Sequence, residues 1–282
     1  MVAAISGGAD SLALLVLAVA AGLDVTAVHV DHGLRAGAAA EADYVAAAAA
    51  SVGATFRAER VHVAEGPDLE ARARAARYAV LPYGVLTGHT ADDQAETVLI
   101  NLLRGAGLRG LAGMPEAGRV RRPLLGLRRD DTAEVCRVAG LAPLVDPTNA
   151  DPRFVRNRVR GEVLPLLDAI ARRDVVALLT RQAKLLGDDA DLLDELAAQL
   201  DPCDAKALAA APLPLARRAV RAWLRTGDER HPPSAAEVAR VLTVAAGEAV
   251  ACQVGGGRRV ARRGGRLTLS PAVPGEVGQG KR

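Results

Sequence analysis

Strands alternating with helices through the first hundred residues predict an α/β fold with a doubly wound parallel sheet. A smaller, mostly helical domain should follow and end in a β meander. Three observations carry this expectation. Short apolar runs recur at Val2 to Ile5, Val25 to Val30, Phe56 to Val63 and Val85 to Thr87, with helical patterns between them. From about Arg153 the pattern turns helical, punctuated by Pro212, Pro214, Pro232 and Pro233. Gly-rich turns then separate short strands near the end of the chain. The expected division is residues 1–152 for a nucleotide-binding catalytic domain, 153–270 for a helical domain, and 271–282 for a loose tail.

Each element has a local reason. Leu12 to Ala21 is strongly apolar and stops at Gly22, a favourable left-handed end. An Ala-rich helix is predicted from Glu41 to Val52, and another from Asp68 to Leu81, with Asp68 as its cap and Glu70 in its first turn. Ala91 to Leu103 follows the fourth strand. In the second domain Val155 to Ile170, Val175 to Leu200, Leu215 to Arg225 and Ala235 to Ala246 read as helices. Glu248 to Val254, Arg258 to Arg262 and Arg266 to Leu269 read as the strands of the meander. Four residues of strand before Ser6, and the tight span from Arg77 to His89, lead us to expect that the natural protein has further residues at both places.

Half of the 282 residues are apolar but only 2% are aromatic, so the core must be built from Ala, Leu and Val. Only Lys184, Lys206 and Lys281 are lysines, which leaves 33 arginines among the 36 basic residues. Net charge is +3, unevenly spread. Residues 104–129 hold seven arginines, Arg153, Arg156, Arg158 and Arg160 fall close together, and residues 258–266 hold five more. One such run is usually a solvated face, whereas three favour a polyanionic partner. The few aromatics argue against a platform for stacking single-stranded bases. Cys136, Cys203 and Cys252 are widely spaced, which fits a reducing cytoplasm and excludes a CxxC pair. No leader-like segment and no apolar run of about 18 residues is present, so a cytoplasmic protein without a membrane partner is expected.

The strongest signal is Ser6-Gly7-Gly8-Ala9-Asp10-Ser11, set between the first strand and the first helix. Glycines let the backbone turn and approach a ligand, and a helix N-terminus favours an anion, so the turn suits a phosphate. A glycine turn alone is commonly structural, but the full SGGxDS pattern in this context is more specific. It lacks the Gly-Lys-Ser/Thr ending of a Walker loop. A second cluster, Gly88-His89-Thr90-Ala91-Asp92-Asp93-Gln94-Ala95-Glu96-Thr97, places Asp92, Asp93 and Glu96 close together at a helix start. First-turn acids often do no more than complement the helix dipole. That leaves unexplained why His89 precedes three crowded carboxylates, which a cation would neutralise. Both clusters, and His29 to Arg35, follow strand ends and should meet in one cleft.

The first of these motifs resembles the PP-loop of the ATP pyrophosphatases. In order, SGGADS, VDHGLR (Val30 to Arg35), ARAARY (Ala73 to Tyr78), GHTADDQAET, RGAGLRGLAGM (Arg104 to Met114), RPLL (Arg122 to Leu125) and DPTN…RNRVR (Asp146 to Arg160) resemble the tRNA(Ile)-lysidine synthetases. The resemblance covers about residues 2–170 with specific motifs and the helical remainder more loosely. It implies a ligase that uses ATP, with Mg²⁺, to join L-lysine to C2 of the wobble cytidine in a CAU-anticodon tRNA(Ile). It further implies that Ser6, Gly7, Gly8, Ala9, Asp10, Ser11, His32 and His89 bind nucleotide. Asp93, Glu96, Arg74, Arg77 and Arg160 would be catalytic, with Arg122 and Arg156 among the arginines that offset phosphate charge. Asp10 and Asp92 would face the metal, Asp92 being either metal-side or structural. His29, solitary in a strand, reads first as a satisfied core histidine. Two rival readings are a PP-loop tRNA thiolase, which generally needs paired cysteines, and a non-catalytic nucleotide-binding module, which needs neither GHTADDQAET nor the basic DPTN…RNRVR segment.

Overall fold

The computed structural model describes residues 1–31, 33, 38–62, 69–145, 151–225 and 233–271. Two compact units emerge, Met1–Gly187 and Asp188–Arg282.

The first unit is built on β1 (Val2–Ala4), β2 (Thr26–Asp31), β3 (Thr55–Arg60), β4 (Val85–Leu86) and β5 (Val120–Arg121), all parallel, in the order β3-β2-β1-β4-β5. Between them lie α1 (Ala9–Ala20), α2 (Ala38–Ser51), α3 (Leu69–Val80), α4 (Ala91–Leu103) and the short α5 (Leu108–Leu111). After β5 come α6 (Arg129–Val138) and α7 (Val155–Arg158). The chain walks outward from β1 to β3, then returns to build β4 and β5 on the other side of β1. Strand order therefore reverses between β1 and β4, and the crevice at their carboxyl ends is where such sheets bind ligands. Successive residues of β2 serve opposite faces. Ala27 joins Ile5, Leu12, Leu15 and Val45 in one core, while Val28 joins Leu81, Val85 and Val120 in the other.

Several expectations are refined. The strand expected to reach Val63 ends at Arg60, and Val63 and the cap Asp68 lie outside the described residues. The single helix expected over Val155 to Ile170 is α7, a π-helical turn at Val159–Val163, and α8 (Leu164–Ala171). Pro165, in the first turn of α8, lacks an N–H and its ring crowds the carbonyl four residues back. Widening the preceding turn accommodates it. The units also part later than the predicted 152/153 boundary. Val159, Leu164 and Val176 pack against Ala91, Ala95, Leu99 and Ile100 of α4, which binds this segment to the sheet unit.

The helix α9 (Val175–Ala198) runs through the division at Gly187. The second unit continues with α10 (Ala205–Ala210), α11 (Leu213–Leu224) and α12 (Ala235–Ala246), then an antiparallel sheet of β6 (Ala251–Gln253), β7 (Arg259–Arg263) and β8 (Arg266–Ser270). Asp204 caps α10 through the N–H groups of Lys206 and Ala207, and Ser234 with Glu237 forms a capping box on α12. Leu208, Val220, Leu224, Val241, Val244, Val260 and Leu267 fill the core. Among the described residues no helix is long and apolar enough to cross a membrane.

The meander's arginines are more structural than expected. Arg262 donates Nη1 to the Ala245 carbonyl at 2.9 Å, closing the C-terminal end of α12. Arg258 donates Nη2 to the Leu224 carbonyl at 3.0 Å, at the end of α11. Arg266 pairs with Asp201 at 2.6 Å. Arg259 and Arg263, two strand steps apart on one face, remain exposed.

Candidate active site

The turn after β1 is held by its own serines. Ser11 Oγ donates to the Gly8 carbonyl at 2.9 Å and receives the Ser6 N–H at 3.2 Å. Gly7 has a φ of 88°, and a Cβ there would meet Leu144 Cδ1 at 2.7 Å, so both conformation and packing demand glycine. Gly8 differs. Its φ of −74° is ordinary, and a Cβ would find only Ser6 Oγ, at 3.8 Å. Nothing among the described residues requires a glycine at that position. Among the described residues no side chain caps α1, and the Ser11 N–H turns back to the Gly8 carbonyl at 3.1 Å, so the N–H groups of Ala9 and Asp10 are the ones a helix start offers to an anion.

The exit of β4 lies hard against this turn. A Cβ on Gly88 would come within 2.3 Å of the Asp10 carbonyl oxygen, so the second motif's glycine permits contact between the two motif backbones. From there α4 begins with Asp93 accepting the Thr90 N–H at 3.0 Å, a capping box. Gln94 spans to the Met114 backbone through both of its amide atoms, at 2.7 and 3.0 Å, and so fastens the RGAGLRGLAGM loop to α4.

The acids expected beside the cleft are met by arginines from distant segments. Glu96 is completely buried, and Arg160 Nε donates to its Oε1 at 2.7 Å. Arg129 Nη2 reaches Glu96 Oε1 at 3.3 Å and Asp93 Oδ1 at 3.2 Å, and its Nε lies 3.8 Å from Asp10. Arg156 completes the set at 3.6 Å from Glu96 Oε2. Asp10, Asp93 and Glu96 thus share one guanidinium. Burial pushes the Asp10 carboxyl up, against the opposing hydrogen bond from the Thr132 hydroxyl.

Asp92 stands on another side of the helix start. Arg128 grips both of its oxygens at 3.1 Å, and the Arg129 N–H donates to Oδ2 at 2.8 Å. Burial alone would raise its pKa, but these donors outweigh it and hold the carboxyl below its usual range. Its acceptors are used in securing α6 to α4, which favours the structural alternative over the metal-side one. Among the described residues no group of three acids, histidines or cysteines forms a metal cage. Asp10 still fits a Mg²⁺ that is held mainly by phosphates and waters. Among the described residues its Oδ2 has only the 3.8 Å contact with Arg129.

His89 hydrogen-bonds through Nδ1 to Thr87 Oγ1 at 2.8 Å. Burial, assisted by Arg122, Arg74 and Arg156 and opposed by Asp93, lowers its pKa to about 4, so it is neutral at pH 7. Arg74 lies over the Tyr78 ring, 5.2 Å from its centre, with Arg77 half-buried next to both. His29 is a core residue, bonded to the Ile5 carbonyl at 3.1 Å. His32 lies outside the described residues, as do Asp146 to Asn149 of the DPTN segment.

The sequence reading missed Arg128, Arg129 and Thr132 as parts of this site. They sit at the start of α6, which it did not foresee. The RRDDT run carries acids suited to a helix start, the one local signal that could have placed them.

With the geometry established, similarity to known proteins can be set beside it. Residues 1–167 match the PP-loop domain family, and residues 204–268 match the TilS substrate binding domain. The chain is 44% identical over 289 residues to the tRNA(Ile)-lysidine synthase of Nocardia farcinica, covering 94% of this chain and 90% of that protein. It is 48% identical over 238 residues to the enzyme of that name from Mycolicibacterium paratuberculosis, covering 79% and 74%. A solved structure, the U34-tRNA thiolase NcsA from Methanococcus maripaludis with its 4Fe–4S cluster, aligns with a TM-score of 0.52 and 18% identity. That alignment covers 66% of this chain and 72% of the other, and its likeness is one of fold.

Proposed function

The chain belongs to the tRNA(Ile)-lysidine synthase family, and from that premise we propose how its residues divide the ligation of lysine to the wobble cytidine. It is an ATP-using ligase that forms lysidine on tRNA(Ile). The observation that carries the site assignment is Gly8, a glycine that neither the backbone conformation nor the packing requires. Close approach of a phosphate to that backbone accounts for it.

ATP lies with its phosphates over Ser6 to Ser11. The target cytosine, in a CAU anticodon, swings out of the loop, which single-stranded RNA permits at small cost. Its C2 oxygen attacks the α-phosphorus, the bond to the β-phosphate oxygen breaks, and pyrophosphate leaves. Open N–H groups at the start of α1 are aimed where phosphate charge grows. Mg²⁺, when bound, neutralises phosphate charge, and Asp10 is the residue suited to hold it. His89, neutral and half-buried, serves as a hydrogen-bonding wall of the nucleotide side.

Lysine then attacks C2 through its side-chain nitrogen, the C2–O bond breaks, and AMP leaves. Asp93 and Glu96 are the acids that bind the ammonium and take its proton as the C–N bond forms. They cannot make the free amine more acidic, because carboxylates favour the ammonium. Arg129 already bridges both acids and Asp10, so these carboxylates can be served by one cation. Arg160 and Arg156 pair with Glu96 and fix the orientation of its carboxyl group. The widely spaced Cys136, Cys203 and Cys252 offer the first unit no cysteine pair, so sulfur insertion is the less supported chemistry.

The test is incubation with ATP, labelled lysine and tRNA transcripts bearing a CAU anticodon. Label should enter RNA with pyrophosphate released only when tRNA is present. Pyrophosphate release without RNA labelling would overturn the ligase assignment.

A further inference from the structure

We propose that Arg122 and Arg74 form a separate anion site on the β5 side of the crevice, which takes an RNA backbone phosphate adjacent to the target cytidine. This rests on the reading of the substrate as an anticodon loop.

Arg122 leaves the end of β5 and is 7% exposed. Its Nη1 donates to the carbonyls of Pro115 and Val120, at 2.7 and 3.4 Å. Its Nε is buried without a partner. Among the described residues no carboxylate pairs with Arg122 or with Arg74. Every other arginine close to the acids of α4 has one: Arg128 on Asp92, Arg129 on Asp93, Arg156 and Arg160 on Glu96. A buried guanidinium that meets carbonyls and no described acid carries charge that an arriving anion would neutralise.

Arg74 sharpens the point. Its guanidinium lies over the Tyr78 ring, 5.2 Å from the centre, a contact that restrains the group while leaving its donors available to phosphate oxygens. Its charge and that of Arg122 repel, and both press upon His89. Like charges held together beside a neutral histidine describe a site prepared for an anion.

Strand order decides which anion. The phosphate turn follows β1, and β5 is the second strand beyond it, roughly 10 Å away at ordinary strand spacing. Pyrophosphate bound at the start of α1 is therefore separated from Arg122 by the intervening strand β4. A cytosine whose C2 oxygen reaches the α-phosphorus still has its base and ribose between that oxygen and its own phosphates. Those phosphates fall on the outlying side, where Arg122 and Arg74 wait.

Anticodon stem–loop RNAs test this, each with one neutral methylphosphonate linkage, placed 5′ or 3′ of the target cytidine. They are bound to the wild type, to Arg74→Gln and to Arg122→Lys, while ATP affinity is measured without RNA. Arg74→Gln, on an exposed helix position, should lose RNA affinity roughly tenfold, the scale of one charge-assisted hydrogen bond, with ATP affinity unchanged. One neutral linkage should cost the wild type as much and cost Arg74→Gln nothing further. Arg122→Lys should behave similarly, and its melting temperature checks its fold; should it unfold, Arg74→Gln decides alone. Additive losses at both linkages, unchanged RNA affinity, or a wild type that binds no stem–loop would overturn the proposal. A fall in ATP affinity instead would assign the anion to the nucleotide and overturn it equally. Failure of lysine transfer in a wild type that shows the linkage effect would remove the ligase reading and leave the anion site standing.

Discussion

In the sheet unit, Arg128, Arg129, Arg156 and Arg160 reach acids on α4 that are 33 to 64 residues away along the chain. In the second unit, Arg240, Arg258 and Arg262 reach carbonyl oxygens of Gln253, Leu224 and Ala245. The first set gathers charge around a buried carboxylate. The second completes secondary structure whose last carbonyls would otherwise lack donors. An arginine-rich run therefore says little about RNA until the partner of each arginine is known. By that measure Arg259 and Arg263, exposed on β7, and Arg217, Arg221 and Arg225, exposed along α11 at four-residue spacing, are better candidates for phosphate contact than Arg262 or Arg266.

The largest effect expected separates the phosphate turn from both arginine sets. Gly8→Ala should leave the melting temperature near wild type yet lower ATP-dependent pyrophosphate release on the order of a hundredfold, because a methyl group displaces the phosphate by about 1 Å. Equal activity in a folded Gly8→Ala protein would move the phosphate elsewhere. Next comes Glu96→Gln, which keeps shape but strands three guanidinium groups. Urea unfolding should show a loss of about 2–3 kcal/mol in the sheet unit, and an unchanged midpoint would mean the arginines find other acids. Arg262→Ala should cost about 1–2 kcal/mol in the second unit, through the carbonyl it serves at the end of α12. If its stability holds and its RNA affinity drops, the contrast between the two sets fails. The smallest effect belongs to Arg259→Ala. It should leave stability untouched and reduce the log–log salt slope of tRNA binding by about 0.7, the contribution of one phosphate contact to a single strand.

Legibility followed the distance over which each feature is determined. The SGGADS turn and the GHTADDQAET helix start were readable because strand, turn and helix lie within a dozen residues and their chemistry is local. The parallel sheet was readable from alternation, except β5, whose two residues Val120–Arg121 carry no pattern of their own. The start of α6 was hidden for a related reason. Its buried positions, Thr132 and Cys136, are a polar residue and a cysteine within a charged run. Arg129 could not be assigned from its neighbours, since its ligands arrive from α1 and α4. The arginines of residues 258–266 were legible as charge, whereas the carbonyl partners of Arg258 and Arg262 were not, because those carbonyls belong to α11 and α12. Asp92 was left between metal-side and structural, and its partner Arg128 lies 36 residues away, beyond any local pattern.

The Thr132 to Asp10 hydrogen bond closes a loop of 122 residues, and Arg160 to Glu96 closes one of 64. Contacts of such sequence separation form late, since chain entropy must be spent before they reward it. On the ribosome, the strands β1 to β4 emerge and can pair well before Arg129, Thr132 and Arg160 exist to engage the acids of α4. Until then Glu96 must stay solvated, and α4 cannot seat its charged face. The centre that would perform the chemistry is thus among the last features of its unit to assemble, and a chain released before Arg160 would carry the phosphate turn without the arginine clasp beside it.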